Sequence, residues 1–258
     1  MEFANYLGID YSGAQTPDKG LVGIRVYLAR EGHPTEEIRS PIPAGRSAHW
    51  SRDNVRRWLV DFLRSNPSTL VGIDHGLSVP DCYFEGRSLR TWRDFLLDLD
   101  SRWPELATKS VDESLRHSPL IADYERANLL RLCETWIPGP TSVFRTVGQG
   151  SVGKSTLSGL AQLRQLLRDS DSSIQVWPFD GWRPDQTHPV IAEVYPSLWR
   201  RRFTHTNEGD IHQRDALAVA QWLKRQAEDQ QLDHWFEPAL TPEEKDRANR
   251  EGWILGVR

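Results

Sequence analysis

Two apolar segments of this chain end in the same tripeptide, Gly-Ile-Asp. The first is YLGID, which ends at Asp10, and the second is LVGID, which ends at Asp74. Short continuous apolar runs are typical of strands that are buried on both faces of a sheet. The repeated ending therefore predicts two buried strands of one central sheet, each with a carboxylate at the point where the strand ends.

The residues between the two acids indicate the fold class. Residues 21–28 and residues 36–42 are predicted strands, so the chain begins with a β-meander. Residues 51–65 then carry apolar side chains at helical spacing, after Ser51, a residue type that is favoured at the N-cap. Three strands, a helix and a further strand indicate an α/β fold.

The rest of the chain is predicted to combine helices and short strands. Residues 75–118 are less regular and contain one predicted helix at 91–99. Further predicted helices are 119–135, 156–168 and 211–228, and further predicted strands are 142–147, 174–177, 190–194 and 253–257. We expect a single domain over residues 1–258, with an insertion or cap at about 75–140.

Composition excludes several classes of protein. The formal net charge of −4 is unlike that of a protein that coats nucleic acid, although one local basic patch would still permit contact with it. Cys82 and Cys133 are far apart, so neither a disulfide framework nor a thiolate zinc site is expected. The N-terminus does not resemble a signal peptide and no apolar run has the length of a membrane span, so we expect a cytoplasmic protein.

Four acids at separated positions are candidate metal ligands. Asp10 and Asp74 end two strands, Glu193 lies near the end of a third, and Asp215 lies on the predicted helix 211–228. A helix that packs across the sheet would add Asp215 to the acids at the strand ends, together with His212 three residues earlier. Clustered carboxylates repel one another unless a proton or a cation compensates them, and Mg²⁺ or Mn²⁺ would do so.

Each of these residues also has an ordinary structural interpretation. A single Asp at a strand end is often a turn former or a helix cap, and His212 alone is typical of a surface or capping histidine. Asp215 is the most informative acid, because it lies on a helix of otherwise small and apolar residues, where a charge needs a partner.

The order of these features resembles the ribonuclease H-like superfamily, and the H-x-x-D-A-L-A segment resembles that of Holliday-junction resolvases. The chain is also similar to a family of predicted RNase H-like nucleases, domain of unknown function 429. The matching segments are GIDYSGA (8–14), VGIDHGLSVP (71–80), VGQGSVGKSTLSG (147–159), VWPFDG (176–181), AEVYPSLWRRRF (192–203) and QRDALAVAQWL (213–223).

The resemblance implies an RNase H-like mixed central sheet, an antiparallel meander plus parallel strands, flanked by helices. It also implies that Asp10, Asp74, Glu193 and Asp215 bind Mg²⁺ or Mn²⁺. His212 would assist them as a ligand or a proton carrier. The expected function is a metal-dependent phosphodiesterase or nuclease that acts on nucleic acid or on a small phosphodiester or nucleotide.

A second motif leaves another interpretation open. Residues 148–155 satisfy the pattern G-x-x-x-x-G-K-[ST] of nucleotide-binding loops. Such a loop requires a buried strand before it, a helix after it and a parallel sheet with a later Asp for Mg²⁺. The last requirement is not met, because the next apolar stretch, IQVWPFD, is short and is broken by Pro178 before Asp180. The segment is therefore either a glycine-rich structural turn, an ATP-binding loop, or a site where Ser151, Lys154 and Ser155 bind a substrate phosphate.

The arginine-rich segment WRRRF and the function of the whole chain each leave a further alternative open. The segment WRRRF (199–203) could bind phosphates through Arg200 and Arg201 and stack on bases, or it could be an amphipathic helical turn with solvated arginines. A non-catalytic protein that kept the fold and binds a nucleotide or a partner is the third functional hypothesis.

Overall fold

The computed structural model describes residues 1–41, 48–116, 129–148, 152–170, 173–203 and 209–258. These residues form one six-stranded sheet. Its strands are β1 (Asn5–Asp10), β2 (Arg25–Ala29), β3 (Glu36–Glu37), β4 (Thr69–Asp74), β5 (Gln175–Trp177) and β6 (Val190–Glu193). They lie side by side in the order β3-β2-β1-β4-β6-β5.

The sheet is mixed, as the sequence predicts. Strand β2 is antiparallel to both β1 and β3, which makes the predicted meander. Strands β4 and β6 continue the sheet parallel to β1, and β5 pairs in parallel with β6 at the edge. The carboxyl ends of β1, β4 and β6 therefore lie at the same edge of the sheet.

Helices cover both faces of the sheet. The described helices are α1 (Arg52–Ser65), α2 (Asp81–Glu85), α3 (Trp92–Arg102), α4 (Val111–Ser114), α5 (Gly153–Asp169), α6 (Arg200–Phe203), α7 (Ile211–Glu228), α8 (Leu232–Phe236) and α9 (Pro242–Glu251). One buried cluster joins α1, α3 and α5 to one face of β1 and β4. A second cluster joins α7, α8 and the C-terminal segment to the other face. Among the described helices, none is long and apolar enough to cross a membrane.

The glycines of the two Gly-Ile-Asp segments let α7 lie directly on the sheet. A Cβ added at Gly8 would stand 2.1 Å from the carbonyl oxygen of Ala216, and one added at Gly72 would stand 2.6 Å from Cγ1 of Val219. Any side chain at either position would push α7 away from the strands. The glycines thus set the height of α7 above the acids that follow them.

Several sequence predictions differ from the structure. Residues 142–147 do not form a strand: Val143 and Phe144 are apolar because they are buried in the core, within an irregular segment. The predicted strand at 253–257 is reduced to one bridge between Glu193 and Ile254. The predicted helix 119–135 lies mostly outside the described residues, and its described end forms only a 3₁₀ turn at Cys133–Trp136.

The described part of residues 75–140 packs into the main core. Trp92 and Phe95 of α3 belong to the same buried cluster as the strand residues Ile9 and Ile73. Arg164 of α5 donates a hydrogen bond to a backbone carbonyl of α3 at 2.6 Å. This segment therefore packs against α5 and the core of the sheet and does not form a separate cap.

Candidate acidic active site

A cleft of about 430 Å³ opens at the carboxyl ends of β1, β4 and β6. All five residues predicted for the acidic site line it, namely Asp10, Asp74, Glu193, His212 and Asp215. Its walls also carry apolar side chains, which are Ile137, Val143, Val152, Val194, Tyr195, Ile211 and Ile254. A cleft of this size, with convergent charged groups between apolar walls, is typical of a small-ligand site.

Asp10 and Asp74 are direct neighbours in the sheet. The parallel register of β1 and β4 pairs Asp10 with Asp74, as it pairs the two glycines and the two isoleucines before them. Because side chains alternate between the faces of a strand, both acids lie on the face that carries Gly8 and Gly72, below α7. The repeated tripeptide thus places two carboxylates next to each other.

The first turn of α7 is held in place over these acids. Asp210 is its N-cap and accepts a hydrogen bond from the backbone NH of Gln213, whose side chain bonds back to the Asp210 backbone NH. Arg25, which lies beside Asp10 on the neighbouring strand β2, donates to Asp210 at 2.6 Å. The cap and the ion pair fix the start of the helix that carries His212 and Asp215.

His212 forms a short pair with Asp10. Its Nδ1 lies 2.6 Å from Oδ2 of Asp10, and the hydrogen bond raises the pKa of His212 above its ordinary value. Burial raises the pKa of Asp10, against the lowering effect of His212. His212 is 40% exposed at the side chain, so it lies at the mouth of the cleft, whereas Asp10 lies at its floor.

Asp74 has the least compensated charge of the site. Burial, and then the negative charges of Asp10, Asp215 and Glu193, raise the pKa of Asp74 well above its ordinary value. The positive charge of Arg200 opposes this shift. Without a further cation in the cleft, Asp74 is therefore protonated more readily than an ordinary carboxylate.

Asp215 faces the cleft from α7 and pairs with Arg200 of α6. Nη1 of Arg200 lies 3.1 Å from the Asp215 carboxylate. Burial nevertheless raises the pKa of Asp215 to about 6, so Arg200 compensates its desolvation only in part. The sequence identified Asp215 as a charge that needs a partner, and Arg200 is one such partner.

Glu193 lies apart from the other three acids. It is in register with Ile73 and not with Asp74, which by strand alternation directs it to the opposite face. Both of its oxygens accept hydrogen bonds from Arg131, at 2.7 and 2.5 Å, and one also accepts from the backbone NH of Leu77 at 2.8 Å. Glu193 is thus at the edge of the cleft but already has a cation of its own.

Arg131 is the main residue of this site that the sequence analysis missed. It is 1% exposed and also donates to Glu134 at 2.9 Å. Glu193 and Glu134 outweigh the effect of burial and hold the pKa of Arg131 well above its ordinary value. The sequence analysis placed it in the predicted helix 119–135 and did not single it out, although a buried Glu193 does require a buried cation.

The described residues of the glycine-rich segment, Gly148 and 152–155, lie beside the cleft, and Lys154 and Ser155 are held in contacts within the protein. Lys154 pairs with Asp112 at 2.7 Å, and the hydroxyl of Ser155 donates to the backbone carbonyl of Val152 at 2.9 Å. Ser155 lines the cleft, whereas Ser151 lies outside the described residues. The described residues before α5 also lack the strand that precedes a nucleotide-binding loop.

The WRRRF segment divides into a buried and an exposed part. Trp199 is 4% exposed and stacks on Trp222 of α7 at 3.9 Å, so it is a core residue and is not available to stack on a base. Arg200 faces Asp215, and Arg201 is exposed. The arginines alone are therefore candidates for contact with phosphate.

The acids have the donor chemistry for a hard divalent cation, but their present partners hold them in other contacts. Within the described ranges, no group of three or more His, Cys, Asp or Glu side chains stands in a metal-holding arrangement. Asp10, Asp215 and Glu193 are each paired with a cationic or polarised side chain. Oδ1 of Asp215 is buried and lies 3.1 Å from Nη1 of Arg200 without making a hydrogen bond, so a bound cation would satisfy it more fully.

Comparison with family models, with curated proteins and with solved structures finds no match to this chain.

Proposed function

We propose that this chain is a divalent-metal-dependent phosphodiesterase with an RNase H-like arrangement of acids. The observation that carries the proposal is the register pairing of Asp10 with Asp74 at the carboxyl ends of parallel strands, with Asp215 of α7 facing the same cleft. The meander followed by parallel strands supports the RNase H-like identity of the sheet. Mg²⁺ or Mn²⁺ is the cofactor that this set of oxygen ligands suits.

Asp10, Asp74 and Asp215 are the proposed metal ligands. All three carry a raised pKa because the cleft desolvates their negative charges, and a bound cation removes that cost. Glu193 belongs to the same acidic set, but its bidentate pair with Arg131 assigns it a supporting role at the edge of the site. The bound metal would polarise a phosphate oxygen and lower the pKa of a water.

The protein side chains position the substrate and move protons. His212 lies at the mouth of the cleft with Nδ1 on Asp10, which leaves Nε2 to face solvent or substrate as a proton carrier. Apolar walls that include Ile137, Tyr195 and Ile211 would exclude water from one side of a bound ester. The substrate is a phosphodiester in nucleic acid or in a small molecule.

Metal binding is the first test. EDTA-treated protein is titrated with MnCl₂ and MgCl₂ in a calorimeter, and the Asp10→Asn/Asp215→Asn variant is titrated beside it. We expect wild-type binding and a loss of more than about 100-fold in the variant, beyond what outer-shell partners contribute. Glu228→Gln, at the far end of α7, is the matched control and is expected to bind as wild type.

Cleavage is the second test. Bis(p-nitrophenyl) phosphate and single- and double-stranded DNA and RNA are incubated with Mn²⁺ and each variant. We expect cleavage that requires both the metal and Asp10. Metal binding without cleavage of any of these substrates would favour a non-catalytic protein. ATP binding that survives the acid changes but is lost in Lys154→Ala would replace the proposal with the nucleotide-loop hypothesis.

A further inference from the structure

A second, much smaller cavity lies between α1, α5 and the sheet, and its polar lining residues are Tyr11, Arg52, Arg56, His75 and Gln162. The volume of this small cavity is about 20 Å³, which is enough for one water molecule or one monatomic ion. Tyr11 and His75 line both the small cavity and the acidic cleft, and the centroids of their rings are 4.6 Å apart. These two side chains therefore separate the small cavity from the proposed active site.

The lining of the small cavity carries positive charge. Arg52 and Arg56 lie one turn apart on α1, and among the described residues that line the small cavity none is an acid. Arg56 forms an ion pair with Asp169 at the end of α5, which lies outside this lining. The charge of Arg56 is therefore compensated from outside the small cavity, and Arg52 is the residue whose charge remains to be accounted for.

Arg52 is a buried cation whose hydrogen-bond partners are neutral. It is 1% exposed, and its guanidinium donates to the backbone carbonyls of Ser12, Ala14 and Gln15 at 3.0, 2.6 and 2.8 Å. Burial lowers the pKa of Arg52, and the negative charge of Asp53 opposes this shift without forming an ion pair in the described part of the chain. The carbonyls accept the guanidinium hydrogens but do not neutralise its charge. An anion beside Arg52 would therefore stabilise the folded protein.

Four side chains direct polar atoms without partners to this place. Nε of Arg52, Nε of Arg56, the hydroxyl of Tyr11 and both amide atoms of Gln162 are buried and have no hydrogen-bond partner within the described ranges. Gln162 is 4% exposed and Tyr11 is 7% exposed, so bulk water does not satisfy them. The donors of this set outnumber its acceptors, which are the amide oxygen and the hydroxyl. An anion needs donors alone, whereas a water molecule also needs acceptors for its own hydrogens.

We propose that the small cavity binds one chloride ion, or another halide of similar size. The ion accepts hydrogen bonds from the side-chain donors of Tyr11, Arg52, Arg56 and Gln162 and is the counter-ion of the Arg52 guanidinium. It links α1 and α5 to the strand that ends at Asp10, and so stabilises the packing behind the acidic cleft. This anion site does not depend on the phosphodiesterase function, because it lies on the other side of Tyr11 and His75 from the acids.

The dependence of stability on chloride is the test. Urea unfolding is measured in EDTA at constant ionic strength, with sodium chloride replaced stepwise by sodium gluconate, whose anion is too large for the small cavity. One chloride site with a dissociation constant of about 50 mM lowers the unfolding equilibrium constant about tenfold between about 5 and about 500 mM chloride, and we expect this for wild type. Gln162→Leu should reduce the decrease to less than about twofold, since the binding term is lost. Tyr11→Phe removes one donor and keeps the ring, so it should also reduce the decrease and tests the site if Gln162→Leu does not fold.

The matched control is Gln165→Leu, the same change one turn further along α5 at a half-buried position outside the lining of the small cavity. It is expected to keep the chloride dependence of wild type. Equal stability of wild type in chloride and in gluconate would overturn the proposal, as would a full chloride dependence in Gln162→Leu or Tyr11→Phe. Crystals soaked in sodium bromide provide a direct view: we expect an anomalous scattering peak beside Arg52 and Gln162. An ordered water at that place, without an anomalous signal, would overturn the anion site.

Discussion

Substitution of Asp215 by Asn should stabilise the metal-free protein. The folded structure raises the pKa of Asp215 from 3.8 to about 6, because the cleft desolvates the carboxylate more than Arg200 compensates it. The folded protein therefore binds the Asp215 proton more tightly than the unfolded chain does. As pH rises through this interval the native state loses stability relative to the unfolded state, and above pH 6 the loss is complete. Asn has nearly the same shape and carries no charge to desolvate.

The expected difference in free energy of unfolding between Asp215→Asn and wild type follows from the pKa shift of Asp215. About two pKa units at 1.36 kcal/mol each correspond to about 3 kcal/mol at pH 7.5, an upper limit because Asp10, Asp74 and His212 titrate together with Asp215. Roughly half of this loss of wild-type stability is already present at pH 5. The difference in free energy of unfolding that favours the Asn variant should therefore grow by about 1.4 kcal/mol between pH 5 and pH 7.5.

Urea unfolding in EDTA at pH 5, 6 and 7.5 measures this difference directly. Asp61→Asn, whose carboxylate is 80% exposed on α1, is the control and should change the free energy of unfolding by less than about 0.5 kcal/mol at every pH. Saturating Mn²⁺ should reverse the order, because the metal stabilises only the protein that binds it. A variant that is less stable than wild type at pH 7.5, or an advantage that narrows as pH rises, would refute the argument.

Three further substitutions test the supports of the site by urea unfolding. Gly8→Ala places a Cβ 2.1 Å from the Ala216 carbonyl oxygen and should cost about 3 kcal/mol or more, whereas an unchanged stability would mean that α7 does not rest on β1. Arg131→Met leaves Glu193 buried without its cation and should cost about 3–5 kcal/mol, and a cost below 1 kcal/mol would contradict the described pair. Asp210→Ala removes the α7 N-cap and should cost about 1–2 kcal/mol, with no loss expected if the cap does not form.

The sequence predicted the elements whose signals are local. Helix α7 has the predicted bounds 211–228, and α1 follows the predicted cap Ser51, which accepts a hydrogen bond from the Asn54 backbone NH. Strand β4 also has the predicted bounds 69–74. Each of these elements has a strong local signal, which is helical periodicity in α1 and α7 and a short continuous apolar run in β4, and the tertiary structure does not override it. Helix α9 carried an equally local signal, the Thr-Pro-Glu-Glu capping box at 241–244, which the sequence analysis did not use.

What the sequence did not predict depends on long-range packing. Residues 142–147 have the apolar content of a strand, but Val143 and Phe144 are buried by contacts with the core and pair with no other strand. The different environment of Glu193 could have been inferred from strand alternation only once its register with Ile73 was known. Register between strands 120 residues apart is set by the whole sheet and not by either segment.

The two Gly-Ile-Asp segments connect the stability of this protein to its proposed chemistry. Each glycine lets α7 approach the sheet, and that approach removes water from the carboxylate two residues later. The same packing that builds the core therefore raises the pKa of Asp10 and Asp74 and makes them costly to ionise when no cation is bound. A divalent cation would recover this energy on binding, so the desolvation that destabilises the metal-free protein would strengthen metal binding. A substitution that let water reach Asp74 would therefore stabilise the charge of Asp74 but weaken the binding of the metal.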